Sequence, residues 1–539
     1  MPKANSSGCN GLVVAPQAEA AHAGAEVLRD GGNAADALVT ASLVQGVVDP
    51  HRCGIGGFGC STVNWNDGRE ALSVDFHGRA GSQARPDLWT SIFENAAPDG
   101  FGYIVRGKVN DVGYQSITVP GMLAGVATLH ERFGTLAWRE LVLRAAQRAE
   151  RGFLVTPPLA DFWRRPGLFG RVSTLDRLRF TTAGKKAALQ NDGQPYAAGD
   201  LYRQPLLAAT YRRIAADGPE SFYRGELATT ITTDWQRNGS LLTADDLANY
   251  SPEVGPPLVG SYRGLEIHTT PLPGGGVALL QALQMLEKLD LTRLGHNTLQ
   301  YIETVAPILQ KVWRDRLANQ GDPTFEGRNA EELLAPDYIE QLTIGPVPSG
   351  GTDTTGTTQL TIVDGDDNVV SFAHSLGYGS GVFTPGLGFM FNNCMGAFDP
   401  MPDNRNSIAA GKARSTAVSE TILRRNGKPF VVLGSPGAAR ITAALVQVIV
   451  DVVDFGMNVA EAVTHPRFDA YGENDLLLEG RIPLAIVAAA RENGWNVTHS
   501  PRAFGVVGRV YAAQRRGEKA GDGWDAAVDP GEPGLASRA

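Results

Sequence analysis

The sequence predicts an α+β protein in which sheets and helices stack as a layered sandwich. Three observations carry that reading: a strand followed by two helices at the start, a mainly helical middle over 120–340, and strand hairpins packed with a helix after 356. Amphipathic helices bury a stripe and hairpins bury a face, so each covers the other.

The elements follow in chain order. Gly11–Ala15 is a short apolar strand. Ala18–Arg29 carries Ala21, Ala25 and Leu28 at helical spacing and stops at Gly31-Gly32. Asn33 caps a second helix, and Asp36 stands three residues on, the spacing of a capping box. That helix, to about Val48, is apolar nearly all round and so reads as buried. Strands Ser61–Trp65 and Ala71–Phe76 follow, joined by the turn Asn66-Asp67-Gly68. In the middle, Leu136–Arg151, Leu207–Ala216, Val277–Leu289 and Leu299–Leu317 read as amphipathic helices, with a strand at Tyr262–Thr270. Residues 345–356 have no apolar face and read as an exposed, irregular loop. Then Thr357–Asp364 and Val369–Leu376 pair as a hairpin, as do Thr421–Arg425 and Pro429–Leu433 across Asn426-Gly427. Arg440–Phe455 is a helix with Ile441, Ala444, Leu445, Val448 and Val452 on one stripe. The tail from Lys519, rich in Gly, Pro and charge, reads as loose.

Composition narrows the function classes. Lys+Arg number 48 and Asp+Glu 57, a net charge of −9, which argues against a nucleic-acid partner. No apolar run reaches the 18 or so residues of a membrane span, and no secretory signal stands at the start, so the expected compartment is cytoplasmic. Four cysteines, none in a Cys-x-x-Cys pair, make no disulfide framework. Nine histidines show no metal-ligand spacing, so neither metal nor cofactor is expected.

Several motifs weaken on inspection. Gly54-Ile-Gly-Gly-Phe-Gly59 matches G-x-G-x-x-G, but a helix precedes it and a strand follows, the reverse of a dinucleotide site. It reads as a close-packed turn. Pro271-Leu-Pro-Gly-Gly-Gly276 precedes a helix and could meet an anion there, but lacks the Lys-Ser/Thr of a P-loop. Gly434-Ser-Pro-Gly437 fails the Gly-x-Ser-x-Gly spacing of a nucleophile elbow.

The informative segment is Gly356-Thr-Thr-Gln-Leu-Thr-Ile-Val-Asp364, where a polar loop runs directly into a Thr-led strand. A Thr hydroxyl needs a base beside it to act as a nucleophile. A cut before Thr357 would supply one, an α-amine with a pKa of about 7.7–8.0. Gly356 presents an unshielded carbonyl to that hydroxyl.

With these residues, the chain resembles the γ-glutamyltranspeptidase family of N-terminal-nucleophile hydrolases. The resemblance rests on Gly31–Asp36, Gly54–Gly57, Leu242–Tyr250, Tyr262–Gly264, the Pro-Gly-Gly-Gly turn, Thr357–Asp364, Gly434–Gly437 and Asn458–Phe468, spread over nearly the whole chain. It implies a four-layer αββα sandwich and self-cleavage between Gly356 and Thr357. The fragments 1–356 and 357–539 would stay intertwined as one heterodimeric unit. It implies Thr357 as nucleophile, Ser375 as the orienting hydroxyl, and the backbone N–H groups of Gly437 and Ala438 as the oxyanion hole, aided by a helix N-terminus.

The specificity positions depart from the family. Its carboxylate-binding Arg, just after an Asp-Phe pair, is His77 here, with Arg79 two further on. Its ammonium-binding Asp falls on Ala397, its Gln on Cys394 and its Ser-Ser pair on Thr416-Ala417. After Ser375 the segment is shortened to Leu376-Gly-Tyr378-Gly, and Asp399–Lys412 is short for the family's lid, which implies a more open pocket. Candidate substrate-binding residues are therefore His77, Arg79, Tyr378, Cys394 and Thr416. Each lost charged interaction is worth about 1.5–3 kcal/mol, so γ-glutamyl recognition should weaken by about two orders of magnitude or more.

The expectation is an amidohydrolase working through an acyl-enzyme on a small-molecule amide whose acyl group is not a standard γ-glutamyl. Family members acting on cephalosporin side chains or on oxamate make that shift plausible by analogy. A conventional glutathione hydrolase or transpeptidase is the alternative, and an inert binding or scaffold homologue the third reading.

Overall fold

Two antiparallel sheets lie face to face, each covered by helices on its outer side, in a computed structural model that describes residues 11–98, 102–326, 328–345, 356–517 and 523–539. In chain order the strands begin with Leu12–Ala15 (β1), Phe58–Asn64 (β2), Leu72–Phe76 (β3), Glu253–Gly255 (β4), Leu258–Tyr262 (β5) and Leu265–Thr269 (β6). They continue with Thr357–Val363 (β7), Val369–Ser375 (β8), Thr421–Arg425 (β9), Lys428–Gly434 (β10), Tyr511–Arg515 (β11), Trp524–Val528 (β12) and Leu535–Arg538 (β13). The first sheet runs β13-β1-β7-β8-β2-β3-β4 and the second β12-β11-β10-β9-β6-β5.

The layers follow from the strand period of two. On β7, Leu360 and Ile362 enter an apolar core with the helices Ala18–Arg29 (α1), Ala34–Val48 (α2), Trp138–Arg151 (α3) and Pro205–Asp217 (α4). The alternate residues of β7 face the second sheet. Val363 packs there with Ile422, Val432 and Tyr511, and the Thr361 hydroxyl donates to the Tyr511 carbonyl at 3.0 Å. Beyond the second sheet lie Gly276–Glu287 (α5), Leu299–Asn319 (α6), Ile441–Val453 (α7) and Val459–Thr464 (α8), sealed by Ile267, Leu423 and Val431. This is the α+β, four-layer arrangement.

Local signals act as the sequence implies. The Asn33 side chain accepts the Asp36 N–H at 3.1 Å, and the Asp36 carboxylate accepts the Asn33 N–H at 3.0 Å, closing the capping box. Asn426 (φ 51°) and Gly427 (φ 75°) turn the β9–β10 hairpin. Gly57 closes a close-packed turn, its N–H donating to the Gly54 carbonyl at 2.9 Å, while Gly59 already belongs to β2. A Cβ on Gly57 would meet the Ser375 carbonyl oxygen at 2.5 Å, and one on Gly59 the Ala373 carbonyl oxygen at 2.0 Å.

Four local expectations need correction or restriction. The stretch Tyr262–Thr270 is not one strand: Arg263 (φ 49°) and Gly264 (φ 79°) turn the chain so that Leu265 pairs back on Tyr262. Helix α7 is buried through its whole circumference up to Val452, because it lies between a sheet and other helices rather than at a surface. The tail is not loose beyond 522: β12 and β13 each close the edge of a sheet, where backbone pairing outweighs composition. Of the loop expected over 345–356, residues 346–355 lie outside those described.

Candidate active site

Thr357 is the first residue of β7 and pairs directly with Ser375, the last residue of β8. The Thr357 hydroxyl donates to Ser375 Oγ at 3.2 Å. Ser375 Oγ in turn donates to the Gly356 carbonyl oxygen and accepts the Gly377 N–H at 2.8 Å. A hydroxyl relay therefore runs from Thr357 through Ser375 to the carbonyl just ahead of Thr357. Gly356 has φ 113°, and a Cβ there would meet the Gly377 carbonyl oxygen at 2.3 Å. Only glycine fits that approach.

The strand period separates the two threonines. Thr358 points to the opposite face, where its hydroxyl accepts from Gln45 Nε2 at 3.0 Å and donates to Gln17 Oε1 at 3.2 Å. It is fully buried under α2. Thr357 instead opens on a cavity of about 310 Å³, which Gly356, Ser375 and Ala438 also line. Ala438 starts the 3₁₀ turn that leads into α7, with φ 51°, a left-handed conformation rare for a residue with a Cβ. Gly437 stands one residue behind it. Among the described residues neither backbone N–H has a hydrogen-bond acceptor. Ser435 is occupied elsewhere: its hydroxyl donates to the Pro436 carbonyl and accepts the Arg509 N–H.

The cavity wall carries two guanidinium groups, Arg316 on α6 and Arg414. Arg316 is 7% exposed, and no carboxylate pairs with it among the described residues. Burial, reinforced by the Arg414 charge and opposed by Tyr103, brings its pKa down to about 9. Arg414 donates to Cys394 Sγ at 2.9 Å and to the Ser415 carbonyl at 3.0 Å, and it lies over the Phe58 ring. Asp399 is the acid on the same wall; the Tyr103 phenol bonds to it, and burial together with that carboxylate raises the phenol's pKa.

These features have counterparts elsewhere. The family model for γ-glutamyltranspeptidase matches residues 20–539. The chain belongs to the γ-glutamyltranspeptidase family. The Acylase ACY 1 proenzyme of Pseudomonas sp. (strain V22) is 34% identical, over 94% of this chain and 91% of its own length. The glutathione hydrolase proenzyme of Bacillus subtilis subsp. natto is 29% identical, over 95% of this chain and 89% of its own. The crystal structure of cephalosporin acylase from Bacillus halodurans superimposes with a TM-score of 0.86 at 26% identity, covering 100% of this chain and 98% of that one. As a member of this family the protein is an amide-bond hydrolase of the N-terminal-nucleophile type.

The family's specificity positions are dispersed in this chain. Thr416 lies on the cavity wall. Tyr378 and Cys394 line a smaller adjoining recess, and Cys394 reaches the main cavity through Arg414, which its sulfur holds. His77 is not on the wall: it is 2% exposed, sits behind Phe58, and turns Nδ1 to Asp75 Oδ1 at 3.2 Å. Arg79 points away, to Glu253 at 2.6 Å and Asp322 at 3.4 Å. The Pro271–Gly276 turn spends its polar groups on the segment carrying Thr416: the Gly275 N–H donates to Val418 and the Pro273 carbonyl accepts the Thr416 N–H. The segment short for a lid nevertheless supplies Asp399, Asn404 and Asn406 to the wall.

The residues that sequence reasoning missed are Arg316, Arg414, Asp399 and Tyr103. One signal was available for Arg316: Trp313, Arg316 and Leu317 recur at helical spacing on α6 and line the cavity together, with Gln320 just past the helix end. Nothing local marks the other three.

Proposed function

We propose that the chain cuts itself between Gly356 and Thr357 and that Thr357 then hydrolyses a small amide whose acyl group ends in an anion, held by Arg316 and Arg414. The hydrogen-bonded series Thr357–Ser375–Gly356 carries the first half of this reading. The Thr357 hydroxyl oxygen attacks the Gly356 carbonyl carbon while Ser375 polarises the carbonyl oxygen. The C–N bond to Thr357 breaks, the proton passes to the new α-amine, and water opens the ester to leave a carboxylate on Gly356. The fragments are 1–356 and 357–539.

In the mature enzyme the α-amine of Thr357 takes the proton of its own hydroxyl as that oxygen attacks the substrate carbonyl. The backbone N–H groups of Gly437 and Ala438 would receive the negative oxygen. The amine proton leaves with the departing amine, and water resolves the acyl-enzyme.

The second half rests on charge. A buried Arg316 without a carboxylate partner among the described residues, beside Arg414, favours an anionic acyl terminus. The likeness to proteins named as acylases supports an acyl group other than γ-glutamyl. Asp399 on the same wall favours the alternative, because it offers a place for the ammonium of a γ-glutamyl group. One comparison separates them: hydrolysis of glutaryl-, γ-glutamyl- and valeryl-p-nitroanilide, which share a carbon chain and differ only in charged groups. Glutaryl turned over fastest supports the proposal. γ-Glutamyl fastest supports the conventional enzyme, and equal use of valeryl removes the arginine reading.

A further inference from the structure

Far from the catalytic cavity, three donors separated widely in sequence converge. His296 lies in the turn ahead of α6, Asp451 on α7, and His465 just after α8. One ligand atom from each lies within 4.8 Å of the other two. Asp451 is buried, while the two histidines are half-buried. His296 Nε2 stands 2.9 Å from Asp451 Oδ1, and the two imidazoles have centroids 4.6 Å apart. His465 makes no side-chain hydrogen bond among the described residues, and its Nδ1 is buried without a partner.

We propose that His296, Asp451 and His465 bind a divalent transition-metal ion, with zinc the best match. Two imidazoles and one carboxylate are a borderline donor set that suits zinc and excludes calcium and magnesium, which take oxygen. Zinc held at about 2.0–2.2 Å by each ligand sets the donors ~3.3 Å apart. The observed spacing closes to that by rotating the two half-exposed imidazoles. Three protein ligands leave one coordination position for water. The neighbouring cations do not oppose the ion strongly: Arg467 is paired with Asp529, and Arg481 with Glu479. Linear spacing could not show this site, because its ligands are 155 and 14 residues apart in the chain.

The location gives the ion a role. Arg316 stands 17 residues along α6 from Leu299, about 25 Å at 1.5 Å per residue, so the ion has no part in the chemistry. It anchors the far end of the helix whose other end carries Arg316. If the chain matures as proposed above, one ligand comes from fragment 1–356 and two from 357–539, and the ion clips the fragments together.

The test uses tag-free, full-length matured protein stripped with a chelator, then titrated with Zn²⁺ by calorimetry and with Co²⁺ by visible absorption. One saturable equivalent per chain, a tetrahedral Co²⁺ spectrum and a raised melting temperature are expected. His465→Ala and, separately, His296→Asn should each weaken Zn²⁺ binding at least tenfold and remove the Co²⁺ bands, with circular dichroism confirming the fold. Absence of stoichiometric binding overturns the site, as does equal binding by both variants. Loss of self-cleavage in the wild type would remove the fragment-clip role, while the binding result would still stand by itself.

Discussion

Ser375 faces Thr357 across a single antiparallel rung and touches the Gly356 carbonyl with the same hydroxyl. In the proposed cut, one side chain would both orient the attacking oxygen and polarise the carbonyl under attack. Ser375→Ala should slow precursor conversion by about 10²–10³-fold, the usual effect of removing one donor to a developing oxyanion. Ser375→Thr should retain most of the rate. A gel time course of fresh precursor, with intact mass, reads both, and Thr357→Ala should stay whole indefinitely.

Gly356 gives a steric prediction. Gly356→Ala puts a methyl group 2.3 Å from the Gly377 carbonyl oxygen and forces the carbonyl of residue 356 away from Ser375. The precursor should accumulate uncut while its circular dichroism matches wild type. Normal processing of this variant would mean that the geometry described does not persist in the reactive state.

Ala438 predicts a gain. A non-glycine residue at φ 51° carries about 1 kcal/mol of strain that glycine avoids. Ala438→Gly should raise stability by that amount, an increase of ~1 °C in Tm for a chain of this length. Ala438→Val should reduce kcat more than KM, because a branched residue shifts the backbone N–H proposed to receive the oxyanion.

Glu420 predicts a pH dependence. It is fully buried between the sheets, where Gln359 Nε2 donates to it at 2.6 Å and the Ser371 hydroxyl also donates. Burial raises its pKa from 4.5 to about 8, against the opposing pull of those two hydrogen bonds. Between those values the folded chain holds a proton that the unfolded chain has released. This contribution is fully present below pH 4.5 and is lost as pH rises through about 8. Glu420→Gln removes it, so the Tm of the variant minus that of wild type should increase from pH 5 to pH 8. A flat difference across calorimetric scans in that range would exclude a protonated Glu420.

The arginines predict selectivity. Arg316→Gln and Arg414→Gln should each lower kcat/KM for a glutaryl amide by about ten- to a hundredfold and leave a valeryl amide nearly unchanged. Cys394→Ala should act in the same direction more weakly, since its sulfur holds Arg414.

The strand led by Thr357 was legible because its signals are local. A glycine, a threonine and a β-hairpin lie within twenty residues; the choice of Thr357 over Thr358 came from the family resemblance, and in the structure Thr357 faces the cavity while Thr358 faces α2. The capping box of α2 and the Asn426-Gly427 turn were readable for the same reason. The arginine-bearing wall of the cavity was not, because its charge comes from distant segments. Position after Asp75-Phe76 suggested that His77 could serve, yet Phe58 stands between it and the cavity. The terminal strands β12 and β13 were hidden by a glycine-rich composition that says nothing about edge pairing.

The order β13-β1-β7-β8-β2-β3-β4 has a kinetic consequence. A cut before Thr357 assigns β13, β7 and β8 to one polypeptide and β1, β2, β3 and β4 to the other, so the sheet interleaves the two: β1 lies between β13 and β7, and β8 borders β2. While whole, the chain finds these pairings as a unimolecular search. Once cut, recovery from denaturant becomes a second-order reaction between two polypeptides, neither of which holds either sheet whole. Refolding of the processed enzyme should therefore depend on concentration, whereas that of Thr357→Ala should not. Maturation would fix the native topology at first folding and leave the working enzyme dependent on never losing it.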